Sequence, residues 1–259
     1  MHMKYDWIID DMMFSYSRIT SFEQCNYGWL LDYILHEEKE NSFFSEYGSF
    51  MHKIIADILT GQLDKEDAPL YYMRHYAENV LTPATSDSLG AKYYTTGLDY
   101  LRHFEFPHKN IVGVEEVVKF NINDIPFIGY VDVISEENGE LIITDHKSHD
   151  LSPFSKKYPA KKTKGDLELE SYLRQLILYA YGVKQKYGKY PVALEFNCFK
   201  SGNYITVPFN EDWVEPTLKW ASESIEHIRN ENEWKPTIDY FYCKNLCDMR
   251  GVCEYCDEV

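Results

Sequence analysis

The sequence predicts an α/β fold on three observations. Residues 111–147 carry apolar, β-branched runs separated by turn residues, the pattern of consecutive strands. A long helical pattern follows over Leu167 to Tyr187, and two more strand-like runs come after it, at Pro191 to Lys200 and Tyr204 to Phe209. Strands on both sides of a long helix place that helix against a sheet.

Phe14-Ser-Tyr-Ser-Arg-Ile-Thr-Ser-Phe-Glu-Gln-Cys25 enters the first helix, with Ser17 as the expected N-cap. Ile19, Phe22, Trp29 and Leu30 form its buried stripe, and the helix is expected to run to about Leu35. Glu46 to Leu59 is a second helix, with Phe50, Ile54, Ile55 and Ile58 inward and His52 within it. Pro69 to about Phe106 is helical and rich in tyrosine, interrupted near Thr82-Pro-Ala-Thr-Ser, and reads as a helical insertion walling the core.

Ile111 to Ile122 is a strand that turns through Asn123-Asp-Ile-Pro126. Glu115 and Glu116 occupy its middle and point to opposite faces, so at most one can join a site on either face. Phe127 to Ile134 is the next strand and carries one acid, Asp132. Asn138-Gly139 between apolar runs is a hairpin signal, and Leu141 to Thr144 restarts a strand that ends in Asp145-His146-Lys147. Alternation puts Asp145 and Lys147 on one face and His146 on the other. Pairing of the two strands would gather Asp132, Asp145 and Lys147, two carboxylates for a divalent cation and an ammonium beside them. An acid that ends a buried strand needs a cation or another partner to offset its desolvation.

Ser148 to Gly165 holds Lys156, Lys157, Lys161, Lys162 and Lys164, the one concentrated positive stretch. It can be a solvated loop, an arm that meets a phosphate backbone, or both. In the helix that follows, Gln175 and Tyr179 lie four apart on one face. Asp212 to Asn230 is a further helix, with Trp213, Leu218, Trp220, Ile225 and Ile228 among its apolar positions.

At 259 residues, 44% hydrophobic and 26% charged, the chain has the composition of a soluble globular protein and suffices for one domain, 1–259. No run nears the roughly twenty apolar residues of a membrane span, and the first residues lack a signal-peptide pattern, so a cytoplasmic protein with no membrane partner is expected. The formal charge of −16 argues against a protein that coats nucleic acid through bulk charge. It leaves room for a site whose carboxylates hold metal, since these count as negative until the metal arrives. No Gly-x-x-x-x-Gly-Lys-Ser/Thr occurs, so no nucleotide-driven unwinding is expected. Of six cysteines, Cys243, Cys247, Cys253 and Cys256 crowd the tail from about residue 240 onward. In a cytosolic protein such clustering favours zinc or an iron–sulfur centre over disulfides. Cys198, within a strand, is expected in the core.

The order of these features resembles the PD-(D/E)XK nuclease superfamily. They are Ser17-to-Cys25 at a helix start, a helical His52, Glu115 on a strand, Gly129-x-x-Asp132, Asp145-x-Lys147, Gln175-x-x-x-Tyr179 and terminal cysteines. The likeness is to its RecB-like branch, which includes the iron–sulfur nucleases of CRISPR adaptation modules and AddB-type recombination nucleases. It implies a restriction-endonuclease-like mixed central sheet and DNA cleavage with magnesium or manganese, on single strands or duplex ends, with partners from recombination, repair or CRISPR adaptation. By position, His52, Asp132, Asp145 and the His146 carbonyl would hold the metal, with Glu115 the upstream acid and Glu116 one residue out of register. Lys147 would orient the attacking water, and Gln175 and Tyr179 would border the site. A 4Fe-4S cluster would take Cys25, Cys243, Cys247 and Cys253, with Cys256 in reserve. The family spacing is C-x2-C-x5-C, whereas this chain has Cys243-x3-Cys247-x5-Cys253. The rival expectations are a zinc-stabilised, non-catalytic nucleic-acid-binding module and an accessory subunit of a nuclease complex.

Overall fold

The structure is a computed structural model and describes residues 5–256. Five strands form one sheet in the order β1-β2-β3-β4-β5: β1 (Ile111–Ile122), β2 (Ile125–Glu137), β3 (Glu140–Lys147), β4 (Ala193–Cys198) and β5 (Asn203–Pro208). Neighbours run antiparallel except β3 and β4, which are parallel. A parallel pair needs a crossover, and α7 (Lys164–Tyr187) supplies it. The sheet is therefore mixed, and the expected α/β class is observed.

Local chemistry sets the boundaries. Asn138 and Gly139 both take positive φ, 52° and 80°, as a two-residue hairpin turn of the primed type requires. At the start of α7, Thr163 and Asp166 form a reciprocal capping box, and Gly188 ends the helix in the left-handed conformation. Upstream lie α1 (Asp6–Asp10), α2 (Tyr16–Gln24), α3 (Asn26–Tyr33), α4 (Phe43–Leu59), α5 (Ala68–Asn79) and α6 (Asp87–Arg102). After β5, a 3-10 turn (Glu211–Trp213) leads into α8 (Val214–Asn230), and α9 (Tyr240–Asn245) follows.

Two sequence expectations change here. Ser15, not Ser17, caps α2: its Oγ accepts the Arg18 N–H at 3.2 Å, while Ser17 Oγ is 3.0 Å from Ser15 Oγ. The helix expected to reach Leu35 is two helices. Cys25 adopts extended backbone (φ −160°, ψ 106°), ends α2 and begins α3, with its own sulfur accepting the Gly28 N–H at 3.3 Å. The apolar stripe continues across the break, so periodicity alone did not reveal it.

The main core lies between the sheet and α7, with α2, α3 and α8 around it. Val118, Phe120, Phe127, Val131, Ile143, Leu194 and Phe196 pack with Leu169, Leu173, Leu176 and Val183 of α7. Each such side chain contributes about 1.5–3 kcal/mol relative to exposure, which fixes α7 firmly on the sheet. The approach is close at Gly182, where a Cβ would stand 2.8 Å from Phe120 Cδ1. A second core, rich in aromatic rings, joins α4, α5 and α6 through Tyr47, Phe50, Ile54, Tyr72, Leu98 and Leu101. Cys198 is fully buried in the main core, as expected. Among the described residues, no helix is long and apolar enough to cross a membrane.

Candidate active site

The candidate site sits where strand pairing is interrupted. The β2–β3 ladder runs from Glu137–Glu140 to Val133–Thr144 and stops there. The β1–β2 register runs on through Val131, Val133 and Ile134, so β2 continues where its pairing with β3 ends. Beyond the break Asp132 takes over the work of the ladder: its Oδ2 accepts the His146 N–H at 2.6 Å.

Glu115 lies on β1 between Val114, which pairs with Val133, and Glu116, which pairs with Val131. It therefore stands opposite Asp132. Its φ of 50° is left-handed, a conformation that costs a non-glycine residue about 1–2 kcal/mol. Such strain persists where the surroundings over-determine it, often at functional sites. Glu116 takes the other face and pairs with Lys186 of α7, which leaves Glu115 as the acid of the site.

α4 brings in His52. Its Nδ1 is 3.5 Å from Asp132 Oδ2 and 4.0 Å from Glu115 Oε1, and its ring packs edge-on to the His146 ring with centroids 5.4 Å apart. His52, Glu115 and Asp132 each offer a ligand atom within 4.8 Å of the others, the one such group of His, Cys, Asp or Glu among the described residues. One nitrogen and two carboxylate oxygens make a donor set that can hold a divalent cation. The site opens into a cleft of about 630 Å³ lined by Phe44, Ser45, Gly48 and Ser49 as well as His52 and Glu115.

The electrostatics fit a cation. Burial, then the neighbouring Asp145 charge, holds the Asp132 carboxyl well above the usual carboxylate range, and the same two causes raise Glu115. Burial lowers His52, and burial together with His52 and Lys147 lowers His146 further. Two acids reluctant to ionise beside imidazoles reluctant to protonate make a site that a metal ion would relieve.

Asp145 stands at the edge of this group, outside the 4.8 Å set, with Oδ2 2.7 Å from Lys147 Nζ. Lys147 donates to Gln175 Oε1 at 3.3 Å, and Gln175 Nε2 donates to the Tyr179 hydroxyl at 2.9 Å. The Lys147 ammonium also lies 4.2 Å from the centre of the Tyr172 ring. Asp-x-Lys and Gln-x-x-x-Tyr thus form one chain of contacts, with Tyr172 beneath it. The His146 imidazole turns away, as alternation requires. Its Nδ1 is 3.1 Å from Asn197 Nδ2, which also donates to the Tyr100 hydroxyl at 2.6 Å. Sequence reasoning missed Tyr172, Asn197 and Tyr100, which no motif marks. Tyr172 could have been found three residues before Gln175 on the same helix face.

The basic stretch before α7 is tied down at intervals. Asp166 accepts from Ser155 and Thr163, starting with the Ser155 N–H at 2.6 Å, and these hydrogen bonds hold its carboxyl below the usual range. Tyr158 and Lys162 meet Glu170, while all five lysines remain exposed.

At the tail, Cys243, Cys247, Cys253 and Cys256 are buried with Leu31 of α3, and Cys25 is half-buried. The Cys256 N–H donates to the Cys253 carbonyl at 3.0 Å, and the Cys256 thiol donates to the Cys243 carbonyl at 3.9 Å. Cys25 Sγ accepts the Thr237 N–H at 3.4 Å, which joins the α2–α3 break to the tail. All five cysteines are brought together.

The family model for the PD-(D/E)XK nuclease superfamily matches residues 13–254, and the chain belongs to that superfamily. No curated protein matches it. Among solved structures, a candidate exonuclease of Eubacterium rectale is similar in fold, with a TM-score of 0.54 and 12% identity over 98% of this chain and 90% of that one. SSO0001 matches with a TM-score of 0.34 and 16% identity over 80% of this chain and 95% of that one.

Proposed function

We propose that the chain is a single-domain, metal-dependent deoxyribonuclease of the RecB-like branch, acting as an exonuclease on single strands or duplex ends. The observation that carries this is the meeting of His52, Glu115 and Asp132 beside the Asp145–Lys147–Gln175–Tyr179 chain. The similar fold named as a candidate exonuclease adds support for the mode of attack.

In this reading His52, Glu115 and Asp132 hold magnesium or manganese, with Asp145 and the His146 carbonyl completing the set. The cation lowers the pKa of a bound water and offsets phosphate charge. Asp132 does two jobs, since the oxygen that faces His52 also fixes the His146 N–H and so the end of β3. Lys147, held between Asp145, Gln175 and the Tyr172 ring, presents an ammonium that orients the water and stabilises charge on the phosphoryl oxygens. Gln175 and Tyr179 position that ammonium from a helix locked onto the sheet.

Five cysteines near one another supply the four thiolates that an iron–sulfur cluster or a zinc ion would take, and in this reading the cluster is iron–sulfur. We assign Cys25, Cys243, Cys247 and Cys253 to a 4Fe-4S cluster of structural role, with Cys256 the alternate ligand. The test is anaerobic purification with iron and zinc analysis, and assay of the same sample on end-labelled single- and double-stranded DNA with manganese. Brown protein with about four irons and metal-dependent cleavage is expected. Colourless, zinc-bound protein that leaves DNA intact would favour the non-catalytic binding module.

A further inference from the structure

A second cleft, of about 790 Å³, opens between the end of α6 and the β4–β5 turn. Tyr100, Phe104, Phe106, Phe199 and Tyr204 give it an aromatic floor, and Lys200 stands at its rim. Its wall toward the site is one ring thick. Phe199 packs 5.5 Å from His52 and 5.8 Å from His146 on one side, and 5.5 Å from Tyr100 on the other.

The surface between the site and this cleft is continuous. A small depression lined by Lys92, Thr96, Ser148 and Lys200 lies between them. Thr96 and Lys200 also line the aromatic cleft. Ser148 follows Lys147 directly and faces Gly48 of α4, which lines the site cleft: a Cβ on Gly48 would stand 4.0 Å from Ser148 Oγ. Lys92 is exposed and, among the described residues, makes no ion pair within 4.0 Å; Lys200 has only Asp150, at 3.9 Å. Two exposed cations, Lys92 unpaired and Lys200 only loosely paired with Asp150, therefore lie on the path from the site to a row of aromatic rings.

We propose that this path is a single-strand track. A strand held at His52, Glu115 and Asp132 passes over Ser148, its phosphates meet Lys92 and Lys200, and its bases stack on Phe106 and Tyr204 in the cleft. Cationic groups that follow the backbone, joined to aromatic faces that accept any base, are the means by which proteins hold single strands without reading sequence. A duplex would need both strands accommodated, whereas the aromatic floor can stack only unpaired bases. The inference rests on the nuclease reading above and adds the substrate form and the residues that hold it.

The experiment measures KM, kcat and the salt dependence of binding for wild type, Lys92→Ala/Lys200→Ala and Phe106→Leu. Cleavage is followed with manganese on a single-stranded 20-mer and on p-nitrophenyl thymidine 5′-monophosphate, whose one nucleotide cannot reach the cleft; binding is measured with calcium. The double lysine variant is expected to raise KM on the 20-mer about tenfold and to lower the slope of log K against log salt by about 1.4, two phosphates at about 0.7 each. Phe106→Leu is expected to raise KM on the 20-mer with an unchanged salt slope. Both variants should keep the wild-type rate on the one-nucleotide ester, which shows that the site is intact. If wild type cleaves and both variants retain its KM and salt slope on the 20-mer, the track is wrong and the nuclease reading stands. If wild type neither binds nor cleaves either substrate, the nuclease reading falls and the track falls with it.

Discussion

The ring of Tyr179 occupies the space that a side chain on Gly129 would need: a Cβ there would stand 2.6 Å from Tyr179 Cε1. The glycine three residues before Asp132 is thus the seat of the tyrosine that ends the Lys147–Gln175–Tyr179 chain. Gly129→Ala is expected to push Tyr179 off the sheet, with destabilisation of about 1–3 kcal/mol from overpacking. Thermal unfolding and manganese-dependent cleavage check this together. Tyr179→Phe, which keeps the ring and loses only the hydroxyl that accepts from Gln175, should cost about 1 kcal/mol and lower cleavage.

Asp132 and Glu115 favour their protonated forms in the fold, because burial and the Asp145 charge raise both. An acid raised by folding binds its proton more tightly in the native state. Its contribution to stability is therefore greatest below its unfolded value, 3.8 for Asp132, and falls as pH rises toward the folded one. Protein held in chelator should accordingly lose stability as pH rises above about 4. Manganese at a hundred times its Kd should restore about 2.7 kcal/mol at neutral pH. Asp132→Asn should flatten the pH dependence and abolish most of the manganese effect, as read by unfolding with and without chelator. A manganese stabilisation that survives Asp132→Asn would move the metal elsewhere.

Lys147→Met removes the partner of a buried carboxylate, since Asp145 is 5% exposed and its Oδ2 lies 2.7 Å from the ammonium. A cost of about 3–5 kcal/mol is expected, along with a cleavage loss of about 10²–10³. Asp145→Asn added to Lys147→Met should recover most of the stability and none of the activity. Recovery of cleavage in the double variant would remove Lys147 from the chemistry.

His108 bridges two carboxylates away from the site. Its Nδ1 is 2.7 Å from Glu137 and its Nε2 is 2.7 Å from Glu195, with Thr144 and Thr206 also on Glu195. Burial alone would lower it, but the hydrogen bonds and charges of the two acids outweigh burial and raise it above 6.5. Its stabilisation is present in full below that unfolded value and is lost as pH rises through the folded one. His108→Leu should cost about 3–5 kcal/mol at pH 6 and less at pH 9, measured by denaturant unfolding.

Much of this arrangement was legible in the residues. Asn138-Gly139 marked the hairpin, alternation turned His146 away from Lys147, and four-residue spacing put Gln175 and Tyr179 on one face. Three features were hidden for physical reasons. The break at Cys25 interrupts the backbone without interrupting the apolar stripe. The left-handed Glu115 has no local signal, because its conformation is imposed by β2 and α4 rather than preferred by glutamate. The separation of Asp145 from the His52 group depends on its ion pair with Lys147, a choice of partner that strand alternation leaves open.

The stacked rings of Trp29 and Trp234, 5.7 Å apart, and the Thr237–Cys25 contact close a loop across 212 residues. Loop-closure entropy makes so distant a contact costly to form early, and long sequence separation slows folding. During synthesis, the helices and sheet would be out of the ribosome before the segment that returns to Cys25. A nascent chain would thus carry His52, Glu115, Asp132 and Lys147 well before Cys25 could meet the segment around Trp234 and Thr237.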